Sequence, residues 1–368
     1  MPVNEPRTVL MTADTVGGVW TYAVELIRAL SPLGVRAALA TMGPAATPAQ
    51  RAEIRGLRNA ELFESNYRLE WMDDPWGDVA RAGKWLLDLE SRIRPDVVHL
   101  NGYVHAALAW HAPTLIAGHS CVLSWWAAVK GAPAPPRWDR YRSLVAQGLR
   151  AADLLVAPTA AMLQCLDAHY GLPENRRVIP NARDAAVFPP GRKQGYILSA
   201  GRFWDEAKNL ATLGIAAEEL PWPVYVAGHS RRRNGPLPHY SNLHLLGRLS
   251  TNDLAHWLAP ASIYALPARY EPFGLSVLEA ALAGCALVLG DIPSLREVWG
   301  CAALYVPPDD HKSLADALRT LIKDVQLRTE MASRSRRRAL TFTPRRMARA
   351  YLVAYRLLLN WRDPPLEP

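Results

Sequence analysis

The stretch Glu271-Pro272-Phe273-Gly274-Leu275-Ser276-Val277-Leu278-Glu279 follows a short apolar run at 263–266 and opens into a longer apolar segment. A buried strand that passes through a tight polar turn into a helix is the βα half of a parallel-sheet unit. The same rhythm repeats in both directions. A C-terminal series of candidate strands occupies 196–201, 224–227, 243–246, 263–266 and 286–289. An N-terminal series occupies 8–12, 35–41, 96–100, 114–117, 153–157 and 177–179, with helical patterns at 19–30, 76–92, 137–150 and 160–169. Each series can build its own doubly wound sheet, so the expected class is α/β with two Rossmann-like domains.

Length agrees with two domains, since 368 residues exceed what one hydrophobic core usually supports. The stretch 181–194 holds Pro189, Pro190 and Gly191 without periodicity and reads as a linker. The expected division is 1–185 and 186–343, with an amphipathic C-terminal helix at about 344–362 whose apolar positions include Met347, Tyr351, Leu352 and Tyr355.

Half the residues are hydrophobic, and no run approaches the roughly 18 apolar residues of a spanning helix. The N-terminus carries Glu5 and lacks a long apolar run, so it does not read as a signal peptide, and a cytoplasmic location is expected. The four cysteines, Cys121, Cys165, Cys285 and Cys301, are scattered without a C-x-x-C pair, which predicts buried, reduced thiols. The net charge of +8 suits anionic partners. The runs Arg231-Arg232-Arg233 and Arg334-Ser335-Arg336-Arg337-Arg338 read as solvated faces. With no recognised module and no interleaved basic and aromatic stripe, nucleic acid is not an expected partner. The positive balance and the 13 tryptophans are compatible with peripheral membrane contact.

If the helix begins near Gly274, the amides of Phe273, Gly274 and Leu275 face outward with the positive end of the helix dipole behind them, which suits a diphosphate. Glu279, further along, could accept hydrogen bonds from the vicinal hydroxyls of a ribose. Taken singly, Glu271 is better explained as a helix N-terminal charge and Glu279 as a solvated face residue. The spacing and residues of this element resemble those of the GT-B glycosyltransferases of family 4, in which E-x7-E commonly has the form E-P-F-G-L-x-x-x-E. The resemblance covers nearly the whole chain. It implies two domains facing each other across a cleft, with the C-terminal helix crossing back to the first. It implies that Glu271 lies against the donor sugar, that the amides of Phe273, Gly274 and Leu275 hold sugar and phosphate, and that Glu279 binds the ribose.

Other segments gain a role beside this one. Gly201-Arg202-Phe203-Trp204-Asp205-Glu206-Ala207-Lys208-Asn209 follows a predicted strand, and its cations suit a diphosphate whose leaving charge must be stabilised. The resemblance assigns Arg202 and Lys208 to the phosphates, whereas by itself the segment fits a surface salt bridge among Arg202, Asp205, Glu206 and Lys208. Asp14-Thr15-Val16-Gly17-Gly18 matches neither a dinucleotide fingerprint nor a P-loop. The resemblance places such a Gly17-Gly18 loop near the donor phosphates and the acceptor. His119 ends an apolar run where open α/β sheets place ligands, and the family often carries a His near the sugar and acceptor. Trp125 and Trp126 could line an acceptor pocket or pack in a core. Asp309-Asp310 reads as a cap for a helix starting near His311 rather than a metal site, and no metal or cofactor is expected.

The resemblance therefore implies a retaining, metal-independent transfer of a sugar from a UDP- or GDP-linked donor to an unidentified acceptor hydroxyl. His119, Arg202, Lys208 and Glu271 would be catalytic, and closure of the domains would exclude water. A phosphorylase, a sugar-nucleotide epimerase or a non-catalytic two-domain binding protein are the alternatives.

Overall fold

The computed structural model describes residues 5–228 and 240–362, so the Arg231-Arg232-Arg233 run lies outside the described residues. The chain forms two compact units. One gathers the residues up to Ser124, Pro133–Asn181 and the segment from Pro344; the other gathers Trp125–Ala132 and Ala182–Thr343.

In the first unit the strands are β1 (Thr8–Asp14), β2 (Arg36–Met42), β3 (Ala60–Glu64), β4 (Val97–Leu100), β5 (Thr114–Ala117), β6 (Leu154–Ala157) and β7 (Arg176–Val178). They make one parallel sheet in the order β3-β2-β1-β4-β5-β6-β7. The central strands are apolar on both faces, with Val9, Leu10, Met11, Val97, Val98, Leu115 and Ile116 fully buried, as a parallel sheet covered on both sides requires. Helices α1 (Gly18–Leu30), α2 (Pro48–Arg55), α3 (Trp76–Ile93), α4 (Val122–Lys130), α5 (Asp139–Ala151) and α6 (Ala160–Tyr170) follow in turn, α4 belonging to the second unit from Trp125 onward.

The second unit carries β8 (Gln194–Ala200), β9 (Val224–Ala227), β10 (Leu243–Gly247), β11 (Ala261–Leu266), β12 (Ala286–Gly290) and β13 (Leu304–Val306), all parallel, in the order β10-β9-β8-β11-β12-β13. Period-2 alternation sends neighbours to opposite faces. Leu198, Tyr264 and Leu287 enter one core; Ile197, Ile263 and Val288 enter the other. Of its helices α7 (Leu210–Ala217), α8 (Thr251–Leu258), α9 (Leu275–Leu282), α10 (Pro293–Trp299), α11 (His311–Lys323) and α12 (Val325–Ala339), the first core takes apolar residues of α9 and α10, and the second those of α7 and α11. Asp310 caps α11 by accepting from the amides of Lys312 and Ser313, both at 3.0 Å.

Helix α13 (Pro344–Arg362) returns to the first unit, where it packs on α1 and β4 and buries Met347, Tyr351, Leu352 and Tyr355.

Two expectations need correcting. Only Cys121 and Cys285 are buried; Cys165 and Cys301 are free but exposed, because Cys165 falls on the outward side of α6 and Cys301 in the single turn after α10. The basic run in α12 is not simply a solvated face. Arg336 Nε donates to the Leu282 carbonyl at 3.2 Å and Arg338 Nε to the Val298 carbonyl at 2.7 Å, so both cations neutralise carbonyls at the C-terminal ends of α9 and α10.

Both sheets change direction of winding beside their first strand, between β1 and β4 and between β8 and β11. Loops leaving the carboxyl ends of such a strand pair are splayed apart, which makes room for a ligand.

Candidate active site

In the second unit the loop after β8 carries Arg202 and Lys208, and the loop after β11 carries Glu271, so the switch point brings the charges together. Asp205 caps the single turn Glu206–Lys208 by accepting from the Ala207 amide at 3.0 Å. Asn209 ends that turn in the left-handed region (φ 55°), with Nδ2 donating to the Pro308 carbonyl at 2.5 Å, and the Arg269 amide donates to the Ala207 carbonyl at 2.9 Å. Held in this way, Lys208 extends almost wholly buried, and its Nζ reaches Glu271 Oε2 at 2.6 Å. Burial alone would push the Glu271 carboxyl up. The Lys208 ammonium, its hydrogen bond, the Phe273 amide and Arg202 outweigh this and hold the carboxyl below the ordinary value of 4.5.

Gly274, at φ +88°, is the N-cap of α9, and Leu275 is its first residue. The Gly274 amide donates to Glu271 Oε1 at 2.9 Å and that of Phe273 to the same oxygen at 3.4 Å, while the Glu271 carbonyl accepts from Ser294 Oγ at 2.6 Å. These two amides thus face the chain's own carboxylate rather than open space. The Phe273 ring is buried edge-on against Phe342, so any contact with a ligand is through its backbone. The Tyr264 hydroxyl on β11 accepts from the Ala200 amide at 3.2 Å and lies 2.8 Å from Ser276 Oγ, tying the end of β8 to the first turn of α9.

Glu279 is buried in the next turn, with Arg183 Nε 2.8 Å from its Oε1. At Nε this is an ion pair by proximity, since that N–H is not aimed along the line. Arg202 is more exposed, 3.9 Å from Asp205 and with its guanidinium 5.4 Å from the Trp204 ring centre. Of the salt bridge that the segment suggested among four residues, only this weak Arg202–Asp205 pair forms, since Lys208 turns to Glu271 and Glu206 to Lys130 at 2.6 Å. Trp125, edge-on to Trp126, donates from Nε1 to Asp205 Oδ1 at 2.8 Å, so its indole N–H is engaged with the loop that carries Lys208.

In the first unit, Gly17 is the N-cap of α1 and Gly18 its first residue. Their loop is pinned from both sides: Thr15 Oγ1 donates to the Pro44 carbonyl at 2.6 Å, and Gln50 Nε2 donates to the Thr15 carbonyl at 3.2 Å. His119 Nε2 is 2.7 Å from Asn101 Oδ1. Because Asn101 Nδ2 donates to the Thr12 carbonyl at 2.6 Å, its oxygen faces the imidazole, and Nε2 must carry the proton. The Tyr22 ring meets His119 edge-on at 4.3 Å. Behind it, His99 Nδ1 lies 2.7 Å from the Tyr355 hydroxyl of α13. Burial holds His119 down to about 4 and, with His119 beside it, His99 down to about 3.

His119 is therefore neutral at physiological pH. Its ring resonances are expected to stay fixed between about pH 8 and about pH 5 in an NMR titration, whereas a midpoint near the ordinary 6.5 would contradict the burial argument. The sign for stability follows from the lowered value. The contribution is complete above 6.5 and is lost as pH falls toward 4, because the unfolded imidazole takes a proton that the folded one does not.

Two family models divide the chain. Residues 16–187 match the model described as Glycosyltransferase Family 4, and residues 194–324 match Glycosyl transferases group 1. The chain is a family 4 glycosyltransferase of the GT-B fold. A similar curated protein is the D-inositol 3-phosphate glycosyltransferase of Kineococcus radiotolerans, 29% identical over 96% of this chain and 92% of the relative. Among solved structures, sucrose-phosphate synthase from Thermosynechococcus elongatus superposes with a TM-score of 0.79 at 16% identity, covering 96% of this chain and 100% of that one. Anabaena HepE in complex with UDP-glucose gives 0.72 at 17% identity, with 98% and 100% covered.

Sequence reasoning on this glycosyltransferase missed two residues, one in each unit, that hold candidate functional segments. Gln50 belongs to α2, whose Thr47-x-x-Gln50 capping box, with amide-to-side-chain bonds of 3.2 and 2.9 Å, is a legible helix start. Arg183 sits in the stretch that reads as a linker, and no local signal singles it out. Among the described residues no helix is long and apolar enough to cross a membrane.

Proposed function

We propose that this glycosyltransferase transfers a sugar from a UDP- or GDP-linked donor to an acceptor hydroxyl, retaining anomeric configuration and requiring no divalent metal. The observation that carries this reading is the convergence of Lys208 Nζ and the Gly274 amide on one carboxylate, Glu271, at the switch point of the second sheet. Donors that converge on an internal anion form an anion site. A diphosphate takes its place on them, and Glu271 is then left to accept hydrogen bonds from the donor sugar. HepE, whose fold this chain shares, was solved with UDP-glucose.

The chemistry follows from where charge develops. Departure of the diphosphate leaves negative charge on its oxygens, which Lys208, Arg202 and the N-terminus of α9 stabilise without rearranging. The acceptor hydroxyl attacks from the face the diphosphate leaves and passes its proton to the departing diphosphate oxygen, so configuration is retained and no covalent nucleophile is assigned. His119, neutral with its Nε2 proton held by Asn101, is assigned to the sugar and acceptor, as are Trp125 and Trp126 to the acceptor.

Calorimetric titration with UDP, GDP, ADP and their glucose and mannose conjugates, in EDTA, tests the donor reading. One diphosphate should bind in EDTA and lose its affinity in Glu279→Ala. Binding to none of them, or binding only after a divalent metal is restored, contradicts the proposal. The anomeric coupling of the product sugar, read by NMR, checks retention.

A further inference from the structure

We infer that Arg183 is a positioning residue of the donor site: it fixes the Glu279 carboxylate in the orientation that receives ribose hydroxyls, and so sets the enzyme's preference for ribonucleotides over deoxyribonucleotides. This rests on the proposed donor reading.

The pair is a poor device for stability. The side chains of Arg183 and Glu279 are 7% and 9% exposed, and a buried ion pair gives back little more than the desolvation it costs. Its geometry suits orientation instead. The guanidinium is stacked 5.1 Å from the ring centre of Phe188, which is fully buried in the core shared with α9. A planar cation clamped in this way cannot follow a moving carboxylate, so the carboxylate is held to it. Arg183 approaches Oε1, and a carboxylate has about four lone-pair sites, so one guanidinium does not exhaust its capacity to accept.

Position along the helix points to ribose. From Leu275, where α9 begins, to Glu279 is four residues, a rise of about 6 Å. That is on the order of the span from a nucleotide's diphosphate to its 2′ and 3′ hydroxyls, so a nucleotide held at the helix start brings those hydroxyls beside Glu279. Charged acceptors form the stronger hydrogen bonds, and their strength depends on alignment, which is what Arg183 supplies.

The test uses the nucleoside diphosphate that binds the full-length wild type, together with its 2′-deoxy and 3′-deoxy counterparts, against wild type, Glu279→Gln, Arg183→Met and Arg183→Lys. Wild type should prefer the ribonucleotide by on the order of tenfold per hydroxyl. In Arg183→Met this ratio should fall toward one while affinity for the deoxy compounds changes little; Arg183→Lys, which keeps charge but not the planar fork, should lie between. If Arg183→Met does not fold, Arg183→Lys decides alone. A variant that is less heat-stable yet keeps the wild-type ratio overturns the inference and leaves the pair structural. Equal binding of ribo and deoxy forms by wild type, or a ratio preserved in Glu279→Gln, overturns it by removing Glu279 from the ribose. Failure of wild type to bind any nucleoside diphosphate is a separate result, which sinks the donor reading itself.

Discussion

Lys208→Ala is expected to lower kcat about 10²- to 10³-fold, since one preorganised charge facing a departing diphosphate contributes on that scale. The same change should lower stability by about 3 kcal/mol, because Glu271 stays largely buried with its nearest cation gone. The pH dependence separates this from a general loss of packing. In the folded wild type Glu271 titrates below its ordinary 4.5, so the pair's contribution is present above 4.5 and is lost as pH falls through the lower folded value. The stability gap between wild type and Lys208→Ala, measured by urea unfolding, should therefore be full near neutral pH and close on acidification. A gap that persists unchanged into acid would show that Lys208 acts by packing alone. Arg202→Ala should cost less in both measures, since Arg202 is more exposed and only weakly paired.

Gly228→Ala should be the most damaging small substitution in the second unit. Gly228 follows β9 at φ +140°, and a Cβ there would lie 1.8 Å from the Gly201 carbonyl oxygen, a backbone atom just past the end of β8. That oxygen cannot yield, because the Gly201 amide is bonded to Ala227 at 3.0 Å and the Gly228 amide to Gly247 at 2.7 Å. Overlap of this depth, added to backbone strain, should cost about 4 kcal/mol or more and disturb the loop that carries Arg202 and Lys208. Gly247→Ala is the control. It has φ +71° but nothing within 4 Å, so only the backbone term, about 1 to 2 kcal/mol, is expected. Equal effects of the two substitutions in thermal unfolding would refute the steric account.

Sequence and structure agree where one signal dominates. Strands β5 and β9, short apolar runs bounded by turn residues, are legible residue for residue, and helix α13 is legible from its apolar stripe. Strand β3 is not, because in its Ala60–Glu64 run Glu61 and Glu64 flank the only two large apolar residues, Leu62 and Phe63, and it is only partly buried, and β13 is only three residues long. The order of strands is not legible either. Which loops meet is decided by the switch points, and these exist only once each sheet has formed. Thus the spacing of Glu271 and Glu279 is read directly from the sequence, but the 2.6 Å approach of Lys208, 63 residues before Glu271, is not. Arg183 is hidden for a related reason: a Pro-rich neighbourhood marks a connection, and nothing local says that one of its cations turns inward to a helix formed about a hundred residues later.

The most direct test of the central claim is a crystal structure of the full chain with the nucleoside diphosphate that calorimetry selects, grown in EDTA. The diphosphate should lie against the Gly274 and Leu275 amides and Lys208 Nζ, with the Glu271 carboxylate moved off them and the ribose hydroxyls on Glu279. A diphosphate bound elsewhere while Glu271 remains on Lys208 and Gly274 would contradict the account.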